Sequence, residues 1–418
     1  MRKLFGLAGG FVLLVAGALV ANAQFSSYYG VNLPLRGTGC AEASQLLGCL
    51  NKTITDINNL VTAQTTSPYT FPRNLLDNGG LQVQQRGTGA VTCGTTTIPS
   101  SAYGPDRWGC NVNVTSGVGT LLADNTAADL PTGPVAYASY KFYRTSGALA
   151  QPQCVMQEIP TSRVVPTQGL PLVLSVYIKG LANMLAESTT VNAYVFYGTG
   201  VDQGLQSFTA SPAITPAWTG INSSLTTAWT ITAAYTRQSY SFQMPVTATE
   251  AAVAFCWTPT TGGTAGATDG FQIALAQLEV SETGQVGPFE FRSYVDELKV
   301  AQSYYVQWAD SPAATFTLPG TCTETSSGAT AACWLMLPTT MVKTPVVAVA
   351  TATSFGMTKV ADGTAEACTT LATVASSSNL NSIKLTCAVS ETAAVGTMHG
   401  MLYAATGAAN TITVSADF

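Results

Sequence analysis

The chain holds one histidine, His399, in the run Thr397-Met398-His399-Gly400-Met401. A Ser–His–Asp site would have to use it, and no serine stands in a G-x-S-x-G turn that would present a hydroxyl. The run reads as part of a strand, so a structural histidine is expected there. Glycoside cleavage needs only two carboxyls about 5–10 Å apart. Acids are sparse, and the conspicuous ones have structural readings: Asp106, before Arg107-Trp108, as a turn cap or ion-pair partner, and Glu279 and Glu290 as flanks of a strand end. Zinc fails on spacing, because there is no C-x-x-C and only one histidine. No run of acids forms a calcium loop. The expectation is a chain with no catalytic residue, no metal and no cofactor.

Binding through aromatic and hydrogen-bonding groups is the better lead. Pyranose rings stack their C–H faces on Trp or Tyr, while amides, carboxylates and hydroxyls take the sugar hydroxyls. Between Tyr197 and Tyr235 lie Trp218 and Trp229 in a run of Thr, Ser, Gly, Pro, Asn and Gln, with Asp202 as its only charge. Trp218, Trp229, Asp202 and Asn222 are therefore the candidate carbohydrate-binding residues. Exposed, the two rings form a sugar platform; buried, they close the end of a sandwich. Trp108 and Trp257 sit in strand-like runs and are expected in the core.

Charged residues are 9% of the 418, against about a quarter in an average soluble domain. The net charge of −5 offers no basic field for nucleic acid or anionic lipid. Arg2 and Lys3, an apolar run to Val20, and Ala21-Asn22-Ala23 read as a signal peptide over residues 1–23, removed on export. No later run is long and apolar enough to span a bilayer. In an exported chain the ten cysteines, Cys40, Cys49, Cys93, Cys110, Cys154, Cys256, Cys322, Cys333, Cys368 and Cys387, are expected as disulfides, with neighbours in the sequence pairing. Cys93–Cys110, Cys322–Cys333 and Cys368–Cys387 would each close a local loop.

Residues 24–71 form an arm and a stem. Leu47, Leu50, Ile54, Ile57 and Val61 step by 3, 4, 3 and 4, the a/d pattern of a coiled coil, and branched aliphatics on both seams favour three strands. The alternative is an amphipathic helix lying on its own domain. Residues 72–293 read as one β domain, with strands at Leu81–Gln85, Val135–Tyr143, Cys154–Ile159, Leu172–Lys179, Val191–Tyr197, Thr236–Met244, Ala251–Trp257 and Phe271–Val280 separated by turn signals. Residues 294–307 read as a linking helix with Val295, Leu298, Ala301 (or Gln302) and Tyr305 on one face. Residues 308–418 read as a smaller β domain. The fold class is all-β: a jelly-roll sandwich, then a smaller C-terminal β-sandwich, preceded by a short coiled-coil helix.

The stretch PRNLLDNGGLQVQQRGTG followed by YGPDRWGC resembles the opening of a phage virion family, proteins of tail-fibre type with a sugar-binding-like jelly roll. The matching residues are Asn74, Leu75, Leu76, Asn78, Gly79, Leu81, Gln85, Arg86, Gly87, Thr88, Tyr103, Asp106, Arg107 and Trp108. A second segment, carried by Gln277, Leu278, Glu279, Gly284, Pro288, Phe289, Glu290 and Arg292, is similar to the family's QLE–PFE–R element. The signal peptide and the disulfides depart from the family, since a virion protein assembled in the cytosol needs neither. The resemblance implies a non-catalytic structural and binding protein, a tail-fibre-like or spike component that contacts surface glycans, and the stem spacing adds the expectation of a homotrimer. A secreted bacterial carbohydrate-binding protein or adhesin is the alternative, and a polysaccharide hydrolase stands third.

Overall fold

A computed structural model describes residues 73–417, apart from Thr88 and the stretches 94–102, 113–118, 134–135, 146–151, 205–207, 211–213, 217, 221–223, 261, 310–315, 318–319, 325–329, 351–354, 360–364, 375–377, 390–398 and 405–410. The signal peptide, the stem residues Leu47, Leu50, Ile54, Ile57 and Val61, the pair Cys40 and Cys49, and Asn222 lie outside the described residues.

The first sandwich is built from Val91–Cys93 (β1), Gly109–Val112 (β2), Gly119–Asp124 (β3), Ser139–Arg144 (β4), Gln153–Ile159 (β5), Pro171–Gly180 (β6), Thr190–Gly198 (β7), Phe208–Ala210 (β8), Ile214–Pro216 (β9), Ser224–Thr230 (β10), Thr236–Gln243 (β11), Glu250–Trp257 (β12) and Gly270–Val280 (β13). Six strands form one antiparallel sheet in the order β1-β3-β4-β13-β6-β11, and five form the other, β10-β7-β12-β5-β2. From β4 to β7, and again from β10 to β13, successive long strands alternate between the sheets, which is the winding of a jelly roll. Period-2 patterning drives this layering: Leu172, Leu174, Val176 and Ile178 of β6, and Val191, Ala193 and Val195 of β7, face one shared core. Trp108 and Trp257 are fully buried there, as their strand-like contexts predict.

Two disulfides fasten this sandwich. Cys93–Cys110 joins β1 of one sheet to β2 of the other, so it ties the layers together as well as closing a local loop. Cys154–Cys256 links directly opposed residues of β5 and β12.

The second sandwich contains Tyr305–Ala309 (β14), Phe316–Thr317 (β15), Gly320–Glu324 (β16), Thr330–Met336 (β17), Val346–Val349 (β18), Phe355–Lys359 (β19), Ala365–Thr373 (β20), Ser382–Val389 (β21), His399–Ala404 (β22) and Thr411–Ser415 (β23). A sheet ordered β14-β23-β18 pairs with one ordered β15-β22-β19-β20-β21-β17-β16. Their core includes Val306, Leu335, Phe355, Met357, Ile383, Leu385, Ile412 and Val414, together with the disulfides Cys322–Cys333 and Cys368–Cys387. No cysteine among the described residues is free.

Two local expectations are corrected. Leu81–Gln85 is irregular backbone, not a strand. Asn78 and Leu81 take φ of 48° and 60°, and the Asn78 amide closes the turn by accepting from Val83 N and donating to Val83 O. The linking helix, expected over residues 294–307, ends at Gln302, Tyr305 already belongs to β14, and only part of the expected face turns inward. Glu297 and Ala301 are buried, whereas Val295 is 58% exposed. Its buried side is polar because Glu297 accepts from Asn78 N, a partner that periodicity cannot see. Ser293 caps it by accepting from Asp296 N.

Candidate functional site

The conspicuous polar residues of the opening stretch converge in a buried network rather than at a surface. Arg107 is 1% exposed and donates to Glu158 Oε1 at 2.5 Å and Asp77 Oδ2 at 3.4 Å. Its guanidinium lies 3.5 Å from the Tyr304 ring centroid and 3.7 Å from Asp417 Oδ1. Arg163 holds the other oxygen of Asp77 at 2.5 Å, and Arg86 pairs with Asp417 between the rings of Tyr103 and Tyr305. Asp106 accepts from Gln85 N and Gln85 Nε2, the capping role read from the sequence. Asn74 donates to Ala276 O and accepts from Leu278 N, while Gly79 runs so close to Ala276 O that a Cβ there would collide with it. Glu290 and Glu279 are bound as well, to Asn74 N and Arg292 in the first case and to Gly287 N and Arg73 in the second. Burial pushes the carboxyls of Asp106, Glu158 and Glu297 above the usual range, with neighbouring arginines only partly countering it for Glu158 and Glu297. These groups weld the sandwich to the linking helix and to the C-terminal strand.

The predicted sugar residues do not form a platform. Trp218 and Trp229 are each 5% exposed. Trp229 lies inside the sandwich, 5.9 Å from the Phe255 ring, and donates its Nε1 to Ser239 O. Trp218 packs on the far side of the five-stranded sheet against Phe196, Met156 and the Cys154–Cys256 pair, with Nε1 given to Gly204 O. Loop composition suggested exposure, but the apolar sheet face beneath each ring decides the matter by burying it. Asp202, in a positive-φ turn, accepts from Thr161 N and receives no sugar-facing role from these contacts.

An open polar surface exists elsewhere, on the outer face of the six-stranded sheet. Inward apolar residues of β6 alternate with outward Ser175, Tyr177 and Lys179, and β11 sends Arg237 and Ser239 the same way. The strand register places Tyr177 beside Arg237, and Lys179 beside Gln272, which lies next to Lys141. Half of this face is covered: Gln277 and Ser241 are bound by residues 284–290. The other half carries the half-buried rings of Tyr177 and Tyr235.

Each ring is accompanied by a cation. Arg237 lies 5.8 Å from the Tyr177 centroid and donates to Ser175 Oγ at 3.1 Å. Lys179 Nζ lies 5.0 Å from the Tyr235 centroid and is anchored to Asp129 at 2.8 Å. On the β13 side of Lys179, Gln272, fully buried, donates to Asp124 Oδ2, which also holds Lys141 at 3.7 Å. Gln272 Oε1 and Arg237 Nε are buried without a hydrogen-bond partner. Burial pulls the Arg237 guanidinium below its ordinary pKa, against the pull of Tyr177 and Glu279, and pushes the Tyr235 hydroxyl up. The signal that could have found this site is the outward set Ser175, Tyr177 and Lys179 within an otherwise apolar strand.

No helix among the described residues is long and apolar enough to cross a membrane, and no group of three or more metal-ligating side chains occurs among them. His399 lies in β22, in register with Lys359.

No family model matches the chain, and no curated protein matches it. Solved structures similar to part of it include the enzymatically active domain of tailspike protein 4 of bacteriophage CBA120, at 13% identity and a TM-score of 0.30. That match covers 50% of this chain and 22% of the tailspike chain. TmCBM61, solved in complex with beta-1,4-galactotriose, is 9% identical over 50% of this chain and 100% of its own, with a TM-score of 0.27. A family 22 carbohydrate-binding module of Clostridium thermocellum Xyn10B is 13% identical over 42% of this chain and 87% of its own, at 0.25. Likenesses of this size carry no argument about what the chain does.

Proposed function

We propose that this is a non-catalytic glycan-binding protein, and that the open half of the outer sheet face is where it takes a polysaccharide. The observation that supports this is the pair of half-buried tyrosine rings, Tyr177 and Tyr235, each with a cation beside it on the outer sheet face. Rings of this kind offer a face to pyranose C–H groups, and the half-buried Arg237 and exposed Ser239 on the same side of β11 offer bonds to hydroxyls. The carboxylates nearby, Asp124 and Asp129, are held by Lys141, Gln272 and Lys179, which suits binding rather than proton transfer. Two stacked rings and two net hydrogen bonds at about 1 kcal/mol each give about 4 kcal/mol, so one site has a dissociation constant on the order of 10⁻³ M.

Useful retention then needs several copies side by side. The resemblance of the opening motif supports a tail-fibre-like setting with a trimeric stem at Leu47–Val61, and the N-terminal signal supports export, as a secreted adhesin would need. Glycan arrays and affinity gels with the unmutated chain and with Tyr177→Ala and Arg237→Ala test the site. Each variant is expected to keep its melting temperature and lose about fivefold in affinity, Tyr177→Ala by giving up a stacking face and Arg237→Ala by giving up a hydrogen bond. Unchanged retention in both variants refutes the site, and shortening of the polysaccharide refutes the non-catalytic reading.

A further inference from the structure

The exposed indole that loop composition pointed to at Trp218 and Trp229 exists in the second sandwich. In β17, Cys333 and Leu335 are fully buried, so the alternation sends Trp334 and Met336 to the outer face, 37% and 61% exposed. The register sets Trp334 between Thr321 of β16 and Lys384 of β21. Two residues along β17, Ala332 lies between Thr323 and Thr386, and Thr386 is itself paired with Ala372. Small residues and hydroxyls therefore form a shelf beside one large ring. The Lys384 ammonium lies 5.2 Å from the indole centroid, and among the described residues it has no carboxylate partner.

We propose that this shelf is a second sugar site, separate from the tyrosine face, and that it takes an acidic sugar of the hexuronate class. The indole stacks on the pyranose, the threonines meet its hydroxyls, and Lys384 turns from the ring to the carboxylate. Charge complementarity decides the ligand class: among the described residues the ionised group beside the ring is a cation, so a neutral sugar would leave it unused while a uronate completes it. The inference extends the glycan-binding reading but shares no residue with the first site.

Electrophoresis of the full chain through gels cast with polygalacturonate, and with neutral galactan as control, tests it. The unmutated chain should be retarded by polygalacturonate, and less so as salt is raised, because the lysine contact is solvent-exposed. Trp334→Ala should weaken that retardation about fivefold, the value of one stacked ring. Lys384→Gln should remove the salt dependence while leaving the melting temperature unchanged. Absence of retardation by polygalacturonate, or a Trp334→Ala variant that migrates like the unmutated chain, overturns the proposal. If instead Tyr177→Ala and Arg237→Ala leave retention on the glycan arrays unchanged while Trp334→Ala still weakens the uronate response, the first site is wrong and this one stands.

Discussion

Replacing Arg107 by Met removes a charge from the centre of the buried network while nearly conserving volume. Arg107 is 1% exposed, and Glu158, 2% exposed, depends on it at 2.5 Å. Asp77 keeps Arg163 and Asp417 keeps Arg86, so Glu158 is the carboxylate that loses the cation bonded to it. Stranding one member of a buried ion pair costs about 3–5 kcal/mol. For a unit of this size each kcal/mol moves the melting temperature by about 2–4 °C, so a fall of roughly 6–20 °C is expected. Urea and thermal unfolding under non-reducing conditions measure it. Glu158 titrates above the ordinary range because of burial and would rise further without Arg107, so the deficit should shrink from pH 7.5 to pH 5 as the carboxyl takes its proton. Adding Glu158→Gln should recover much of the loss. A single variant within about 1 kcal/mol of the parent, or a double variant no better than the single, refutes the assignment of Arg107 as the keystone.

Three further outcomes are expected. Burial raises the folded-state pKa of Asp106, Glu158 and Glu297, so the folded form binds protons more tightly; stability should rise as pH falls through those raised values toward the ordinary carboxylate pKa of about 4, and a melting temperature that drops steadily from pH 7.5 to 5 contradicts this. Removing Cys154–Cys256, which spans 102 residues, should cost about 1.5 kcal/mol more than removing Cys93–Cys110, which spans 17, by loop entropy; equal or reversed losses in unfolding curves of the two Cys→Ala pairs contradict it. Sedimentation of the full chain should give a trimer that Ile54→Asp/Ile57→Asp dissociates, and a monomeric parent ends the stem proposal.

Sequence by itself determined the class of fold and most of the long strands, because period-2 alternation is written locally. Leu172–Lys179, Thr236–Met244, Ala251–Trp257 and Phe271–Val280 lie within a residue or two of β6, β11, β12 and β13. Neighbour pairing of the cysteines also emerged, since short loops bring nearby thiols together; Cys93–Cys110, Cys322–Cys333 and Cys368–Cys387 are formed. Short strands such as β1, β2 and β8 were not legible, because runs of three or four residues carry too little period. Burial of individual aromatics was decided only by tertiary structure. Trp218 and Trp229 sit in hydroxyl-rich loops and strands yet meet apolar sheet faces, while Trp334, flanked by Cys333 and Leu335, looks outward because its neighbours in the chain took the core. The polar motif likewise reads as surface chemistry until Asn74, Asp77, Asn78 and Arg107 are brought against Ala276, Glu158 and Glu297 from strands and helix about 50 to 220 residues away. Which polar groups find buried partners depends on contacts between distant segments, and no local pattern encodes them.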